Sequence, residues 1–205
     1  ILITYLSDRD TLSLLSTCKA FATMRKTVQF RGYCRYDRWK ALGINVKNVY
    51  TKCNGTIPPG VTHVYLHKNF NEPIIIPDGV ICIQFGREFN QPVNLPDSVI
   101  IARFGKCFNQ PLILPKKLKN LQLGNDFNQP ITLPYGITHA VFGKHFDQIT
   151  EFPKTLEHLE FGKWYNKPIT SALSNLRWLK FGDRFDSELD LSSMESLKHL
   201  EFGIY

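Results

Sequence analysis

A four-residue phrase, Phe-Asn-Gln-Pro, recurs at fixed intervals along the 205-residue chain and decides what the chain can fold into. It is complete at Phe89-Asn90-Gln91-Pro92, Phe108-Asn109-Gln110-Pro111 and Phe127-Asn128-Gln129-Pro130. It is nearly complete at Phe70-Asn71-Glu72-Pro73 and looser at Phe146-Asp147, Tyr165-Asn166 and Phe185-Asp186. The starts fall at 70, 89, 108, 127, 146, 165 and 185, a spacing of 19 residues five times and then 20. A unit this short cannot bury its own apolar face. The period therefore predicts stacked copies sharing one continuous core, a solenoid.

Within each unit a second string recurs, apolar at its first, fourth and sixth positions. It spans Val61 to Leu66, Val80 to Phe85, Val99 to Phe104, Leu118 to Leu123, Ile137 to Phe142, Leu156 to Phe161, Leu176 to Phe181 and Leu197 to Phe202. The alternation in its second half is that of a strand with one buried face, so about eight strands are expected. The string has the L-x-x-L-x-L form of the leucine-rich repeat, although 19 residues is a short period for one. Proline stands in two columns of the returning segment, at Pro73, Pro92, Pro111, Pro130 and Pro168, and at Pro58, Pro77, Pro96, Pro115, Pro134 and Pro153. Proline removes a donor and clashes inside a helix, so the return is extended or polyproline-like. Extended limbs on both sides advance alike, which predicts a flatter stack than a helix-backed horseshoe.

The remaining columns read as structure. The aromatic column should form a buried spine, each ring contributing roughly 1.5–3 kcal/mol. The Asn/Asp beside it should bond backbone N–H groups of adjacent rungs. Gly86, Gly105, Gly124, Gly143, Gly162, Gly182 and Gly203 close the strands, where positive φ or close backbone approach favours glycine.

These spaced identities, the Phe-Asn-x-Pro core, the Ile-Pro or Leu-Pro after it and the Phe-Gly closing each strand, resemble the FNIP repeat over roughly residues 51–205. That repeat is a leucine-rich-repeat variant known from giant viruses and social amoebae. The departures are Ile149 and Glu188 at the signature proline and Ala172 at the second, which predict looser late rungs.

Ahead of the repeats, apolar Ile1 to Leu6 precede Ser7-Asp8-Arg9-Asp10, which suit a helix N-cap and first turn. Leu12, Leu14, Leu15, Cys18 and Phe21 then follow at helical spacing. The run Tyr5 to Phe21 resembles the middle and end of an F-box, without its opening Leu-Pro. The resemblance implies a partner, the adaptor subunit of a cullin-type ubiquitin ligase, with contacts at Leu2, Ile3, Tyr5, Leu6, Leu12, Leu14 and Leu15. The F-box and FNIP pairing occurs within that family. The alternative is that these helices only cover the first rung. The motif beginning part-way and the last rung ending at Tyr205 predict a chain that continues at both ends.

The formal charge of +7 is uneven. Residues 1–56 hold ten Lys/Arg and three Asp/Glu, whereas 57–205 hold fifteen of each. Between Met24 and Lys47 cations interleave with Phe30, Tyr33, Tyr36 and Trp39, a mixture that can track nucleic acid. No recognisable nucleic-acid motif accompanies them, and Tyr36, Trp39, Lys40 and Gly43 also read as an amphipathic docking helix with a glycine cap. Nucleic acid is therefore the third-ranked partner. The five cysteines, Cys18, Cys34, Cys53, Cys82 and Cys107, are scattered without a C-x-x-C pair and read as reduced, mostly buried thiols. No apolar run approaches the roughly 20 residues of a membrane span.

The expected organisation is α+β: a partial F-box at 1–24, a basic and aromatic helical connector and cap at 25–50, and a parallel β solenoid at 51–205. Recognition falls to the outward strand rows, which do not repeat. The third-position row is His63, Cys82, Ile101, Asn120, His139, His158, Trp178 and His199; the fifth-position row is Tyr65, Gln84, Arg103, Gln122, Val141, Glu160, Lys180 and Glu201. From these the target-binding surface is drawn as His63, Tyr65, Gln84, Arg103, Asn120, Gln122, His139, His158, Glu160, Trp178, Lys180 and His199. His139, His158 and Glu160 are near enough to share a metal but lack ligand spacing, and read as partner-facing. Trp178, beside Arg177 and Lys180, is either an interface anchor or a cover for a neighbouring rung. No nucleophile, acid–base or phosphate-cradling motif is present, so no enzyme activity and no cofactor are expected. The expectation is a monomeric, soluble, cytoplasmic or nuclear substrate adaptor, in a host cell if viral, holding an unidentified target protein. The alternative is an interaction scaffold whose helices are only a cap.

Overall fold

The computed structural model describes residue 57 and residues 60–204, together with two short strand segments nearer the N-terminus. Ten strands follow in chain order: β1 (Cys34–Arg35), β2 (Asn48–Thr51), β3 (His63–Leu66), β4 (Cys82–Gln84), β5 (Ile101–Arg103), β6 (Asn120–Gln122), β7 (His139–Val141), β8 (His158–Glu160), β9 (Trp178–Lys180) and β10 (His199–Glu201). They form one parallel sheet in which each strand lies between its predecessor and its successor. β3 to β10 sit inside the eight apolar strings, one per repeat. Equivalent positions pair in register, His63 with Cys82, Cys82 with Ile101 and so on to Trp178 with His199.

Among the described residues there is no α-helix. The helical half of the α+β expectation, with the adaptor-contact residues at 1–24 and the helix around Trp39, lies outside the described residues. Within the 25–50 connector, β1 and the start of β2 are strand where the sequence reading expected none. Val46-Lys47-Asn48-Val49-Tyr50-Thr51 follows the strand string at its first and fourth positions, with Thr51 in place of the sixth apolar residue, and Val49 pairs with Val64. It is inconspicuous in sequence because it lies only 15 residues before Val61 and no Phe-Asn signature follows it.

The core is one layer of side chains between the sheet and the return limb. First-position Val61, Val80, Val99, Leu118, Ile137, Leu156 and Leu176 and fourth-position Val64, Ile83, Ala102, Leu121, Ala140, Leu159 and Leu179 are buried. The return limb alternates in the same way: Leu112 is buried and Ile113 exposed, Ile131 is buried and Thr132 exposed. The aromatic spine forms as expected, with Phe89, Phe108, Phe127, Phe146 and Tyr165 fully buried.

The spine also overturns the expectation that both limbs advance alike, while the stack stays flatter than a helix-backed horseshoe, whose neighbouring helices would stand roughly 8–10 Å apart. Successive rings from Phe70 to Phe185 are separated by 6.1, 6.1, 6.0, 6.2, 6.1 and 6.4 Å, in nearly parallel planes. For repeated units that distance is the local rise per rung, and it exceeds the roughly 4.8 Å between hydrogen-bonded strands. Sixth-position rings, nearer the sheet, are 4.6 to 5.5 Å apart. The rungs are therefore wedges with the sheet on the concave side. An excess of about 1.3 Å over a layer roughly 10 Å deep turns each rung by about 7°.

Proline supplies the cause. No backbone hydrogen bond joins the segments 92–96, 111–115 and 130–134 to one another, so nothing holds that side at ladder spacing. Asparagine side chains span the wider gap instead. Asn90 N–H donates to Asn71 Oδ1 (2.8 Å), Asn109 N–H to Asn90 Oδ1 (2.9 Å) and Asn128 N–H to Asn109 Oδ1 (2.9 Å). The glutamine of the signature donates to the same oxygen, as from Gln129 Nε2 to Asn109 (3.2 Å). The ladder continues through Asp147 to Asn166 and Asp186. Where Asp147 replaces asparagine, Lys167 replaces glutamine and pairs with the extra charge at 2.9 Å. Spine spacing at the rungs of Ile149 and Glu188 stays at 6.1 and 6.4 Å, so the expected loosening is absent from the spine.

The strand-closing glycines serve close approach, not positive φ. A Cβ on Gly105 would overlap the carbonyl of Gly86 one rung below. Positive φ occurs instead at Gly60, Gly79 and Gly136, in the turn leading into the strand.

Candidate interaction face

Because strand side chains alternate, fixing the fourth and sixth positions in the core sends the third and fifth to the concave face. The structure brings the third-position residues His63, Asn120, His139, His158, Trp178 and His199 into one row. It aligns Tyr65, Gln84, Arg103, Gln122, Glu160, Lys180 and Glu201 in the next. These positions are exposed or half-buried, except Cys82, which is buried. Burial pushes the Cys82 thiol up, opposed by the Arg103 charge and a hydrogen bond with Tyr65. Cys82 and Cys107 are both free thiols; the side chains of the other three cysteines lie outside the described residues.

The late and early halves of the face differ in how their charges are met. On β7 to β10 the third-position rings stack along the row, with centroids 5.6 Å apart from His139 to His158, 5.6 Å from His158 to Trp178 and 3.5 Å from Trp178 to His199. Trp178 is thus covered on both faces and presents an edge, which fits its reading as a cover for neighbouring rungs. Its indole N–H is buried without an acceptor among the described residues. Glu160 lies 2.6 Å from His158 Nε2, and Glu201 takes the ammonium of Lys180 and lies 3.4 Å from His199 Nε2. The hydrogen bond to Glu201 raises the Lys180 ammonium, and its counterpart lowers the Glu201 carboxyl. No group of three or more metal-ligating side chains occurs among the described residues.

On β3 to β6 the cations are not met in this way. A furrow of about 800 Å³ crosses these strands at their C-terminal ends. Its floor is Leu66, Phe85, Phe104 and the backbone of Gly86 and Gly105, and the glycine column leaves it without side chains. Tyr65, Gln84, Arg103 and Gln122 stand along one side and Lys68, Arg87 and Lys106 along the other. Arg87 has Glu88 at 3.7 Å; Lys68, Arg103 and Lys106 have no carboxylate partner among the described residues.

Sequence reasoning missed Lys68, Arg87 and Lys106. Their signal is positional, a cation directly after the strand-closing residue, repeated at Lys144 and Lys163. Summing charge over all the repeats erased it. A second omission is Trp164, exposed, with the Arg184 guanidinium 3.9 Å above its ring.

This geometry defines a class: a leucine-rich-repeat-like parallel β solenoid with an open, non-repeating strand face. Residues 108–145 and, one rung further on, 127–164 match the FNIP Repeat family. Among solved structures the chain is similar to CroV588, described as a novel circular LRR protein structure, at 29% identity and a TM-score of 0.67. That likeness covers 79% of this chain and 31% of CroV588, so the chain spans about a third of that protein's length. None of the curated proteins matches the chain.

Proposed function

We propose that the chain is a protein-recognition module whose concave strand face holds a target protein. The supporting observation is the contrast between columns: those facing the core repeat, while two outward rows, held in register at strand spacing, do not. The likeness to a circular leucine-rich-repeat protein fits a stack that curves around its strand face. Affinity capture from lysate should show a protein set lost with His139→Ala/Glu160→Ala/Lys180→Ala and kept with Ile113→Ser/Thr132→Ala on the convex side. Equal loss from both variants sinks the assignment of this face.

The finer reading makes the module a substrate adaptor of a cullin-type ubiquitin ligase, with residues 1–24 as an F-box. Its support is the resemblance of Tyr5 to Phe21 to that motif and the pairing of such motifs with FNIP-type repeats. Co-purification with the ligase adaptor, abolished by Leu6→Asp/Leu12→Asp/Leu15→Asp, is the expected result. Co-purification that survives these changes leaves the scaffold reading.

A further inference from the structure

We propose that the furrow across β3 to β6 binds an acidic, extended protein segment, laid along the stack and across the strands. The inference deepens the reading of this solenoid as a protein-recognition module and rests on it. Three features point to that ligand.

The first is charge that the fold leaves unused. Lys68, Arg103 and Lys106 converge on the furrow without a carboxylate partner among the described residues; on later rungs Lys180, Lys163 and Lys167 each have one, though Lys144 does not. The surrounding field has the same sign. Residues 57–125 carry seven Lys/Arg and four Asp/Glu, whereas residues 126–205 carry eight and eleven. A concave, low-dielectric floor between cations concentrates that potential.

The second is shape. The lining runs from Tyr65 on β3 to Gln122 on β6, three rung steps or roughly 14 Å, which is the length of about four extended residues. The glycine column lets a chain lie close to the floor.

The third is the chemistry of the sides. Gln84 and Gln122 offer both donor and acceptor to a peptide backbone, and Arg103 offers a planar fork to a carboxylate. Single-stranded nucleic acid would need stacking platforms. Phe85 and Phe104 are buried in the core, and Tyr65 is the one aromatic side chain along the sides.

The test is fluorescence anisotropy with the full chain and fluorescein-labelled deca-glutamate, alongside an oligothymidylate of equal length. Lys68→Glu/Arg103→Glu/Lys106→Glu should weaken deca-glutamate binding by about tenfold or more. Lys116→Glu/Lys117→Glu/Lys154→Glu makes the same charge change at exposed turns on the opposite end of the strands and should shift binding less than about threefold. Both sets are to be checked for an unchanged thermal midpoint. Equal weakening by the two sets, tighter binding of the oligothymidylate, or no binding by the unaltered chain overturns the proposal. Failure here leaves the parent reading standing on its own test, because His139, Glu160 and Lys180 lie on rungs outside the furrow.

Discussion

Replacing Tyr165 by phenylalanine should stabilise the protein. Tyr165 is the one tyrosine in a column otherwise built of phenylalanine, and its side chain is wholly buried. Its ring lies parallel to Phe146 and Phe185 and 3.7 Å from Phe161, so a phenylalanine fits the same place. The hydroxyl has no hydrogen-bond partner among the described residues. Burial, with the nearby Asp147 carboxylate adding to it, holds the phenol proton well above the usual tyrosine range. An orphaned buried hydroxyl costs about 1–3 kcal/mol. Against this, the dispersion attraction of a single oxygen atom is worth only about 0.5 kcal/mol. Tyr165→Phe should therefore gain about 1–2 kcal/mol, or roughly 2–8 °C in thermal midpoint for a domain of this size. Urea denaturation followed by circular dichroism measures it. Phe146→Tyr, one rung earlier, should be destabilised by a similar amount through the same defect. A Tyr165→Phe protein less stable by about 1 kcal/mol would refute the reasoning, since the hydroxyl would then have to be bonded.

Gly105→Ala should destabilise by more than about 3 kcal/mol, beyond an ordinary glycine replacement, because the new methyl meets the Gly86 backbone and not a movable side chain. Hydrogen exchange should show protection falling first on β4 to β6. Asn109→Ala should cost about 1–2 kcal/mol in urea unfolding, as it removes acceptors for both Asn128 N–H and Gln129. Asn109→Asp with Gln129→Lys should recover part of that loss, by analogy with Asp147 and Lys167. Glu201 should titrate below the ordinary glutamate range in an NMR pH series. A depressed carboxyl contributes stability above its unfolded value that is lost as pH falls through the folded value. Lys180→Met should move the titration back up, since the Lys180 hydrogen bond is its leading cause.

The parts of this fold that were legible in the sequence share a property: each repeats one rung apart and is fixed by contact with its own copy. Phe108 stacks on Phe89 and Phe127, and Asn109 bonds Asn90 and Asn128, so composition at those sites could not drift without breaking the column. Strand positions and the non-helical return limb followed from the same logic. Curvature did not, because it is a difference between two spacings. Proline announced that the return limb lacked donors at up to two positions in each rung, but the consequence, a side-chain ladder spanning about 6 Å where a backbone ladder spans less, depends on how far Asn109 reaches. The early strand β2 was hidden by an irregular interval, since Asn48 to Thr51 join the sheet without a Phe-Asn phrase after them. The furrow was hidden by cancellation: Lys68 and Lys106 belong to a local excess balanced by acidic residues many rungs away.

The wedge shape of the rungs gives this architecture a way to evolve. Every nineteen-residue duplication inserts another wedge, so it lengthens the protein and also swings everything beyond the insertion through a fixed angle. Repeat number then acts as a heading. A lineage gaining or losing whole units re-aims the later rungs in discrete steps relative to the earlier ones, while each rung keeps its hydrogen bonds and its spine contact unchanged. In the proposed recognition role, selection on where a target is held would proceed by counting, separately from selection on which target is held, which would act through the outward rows.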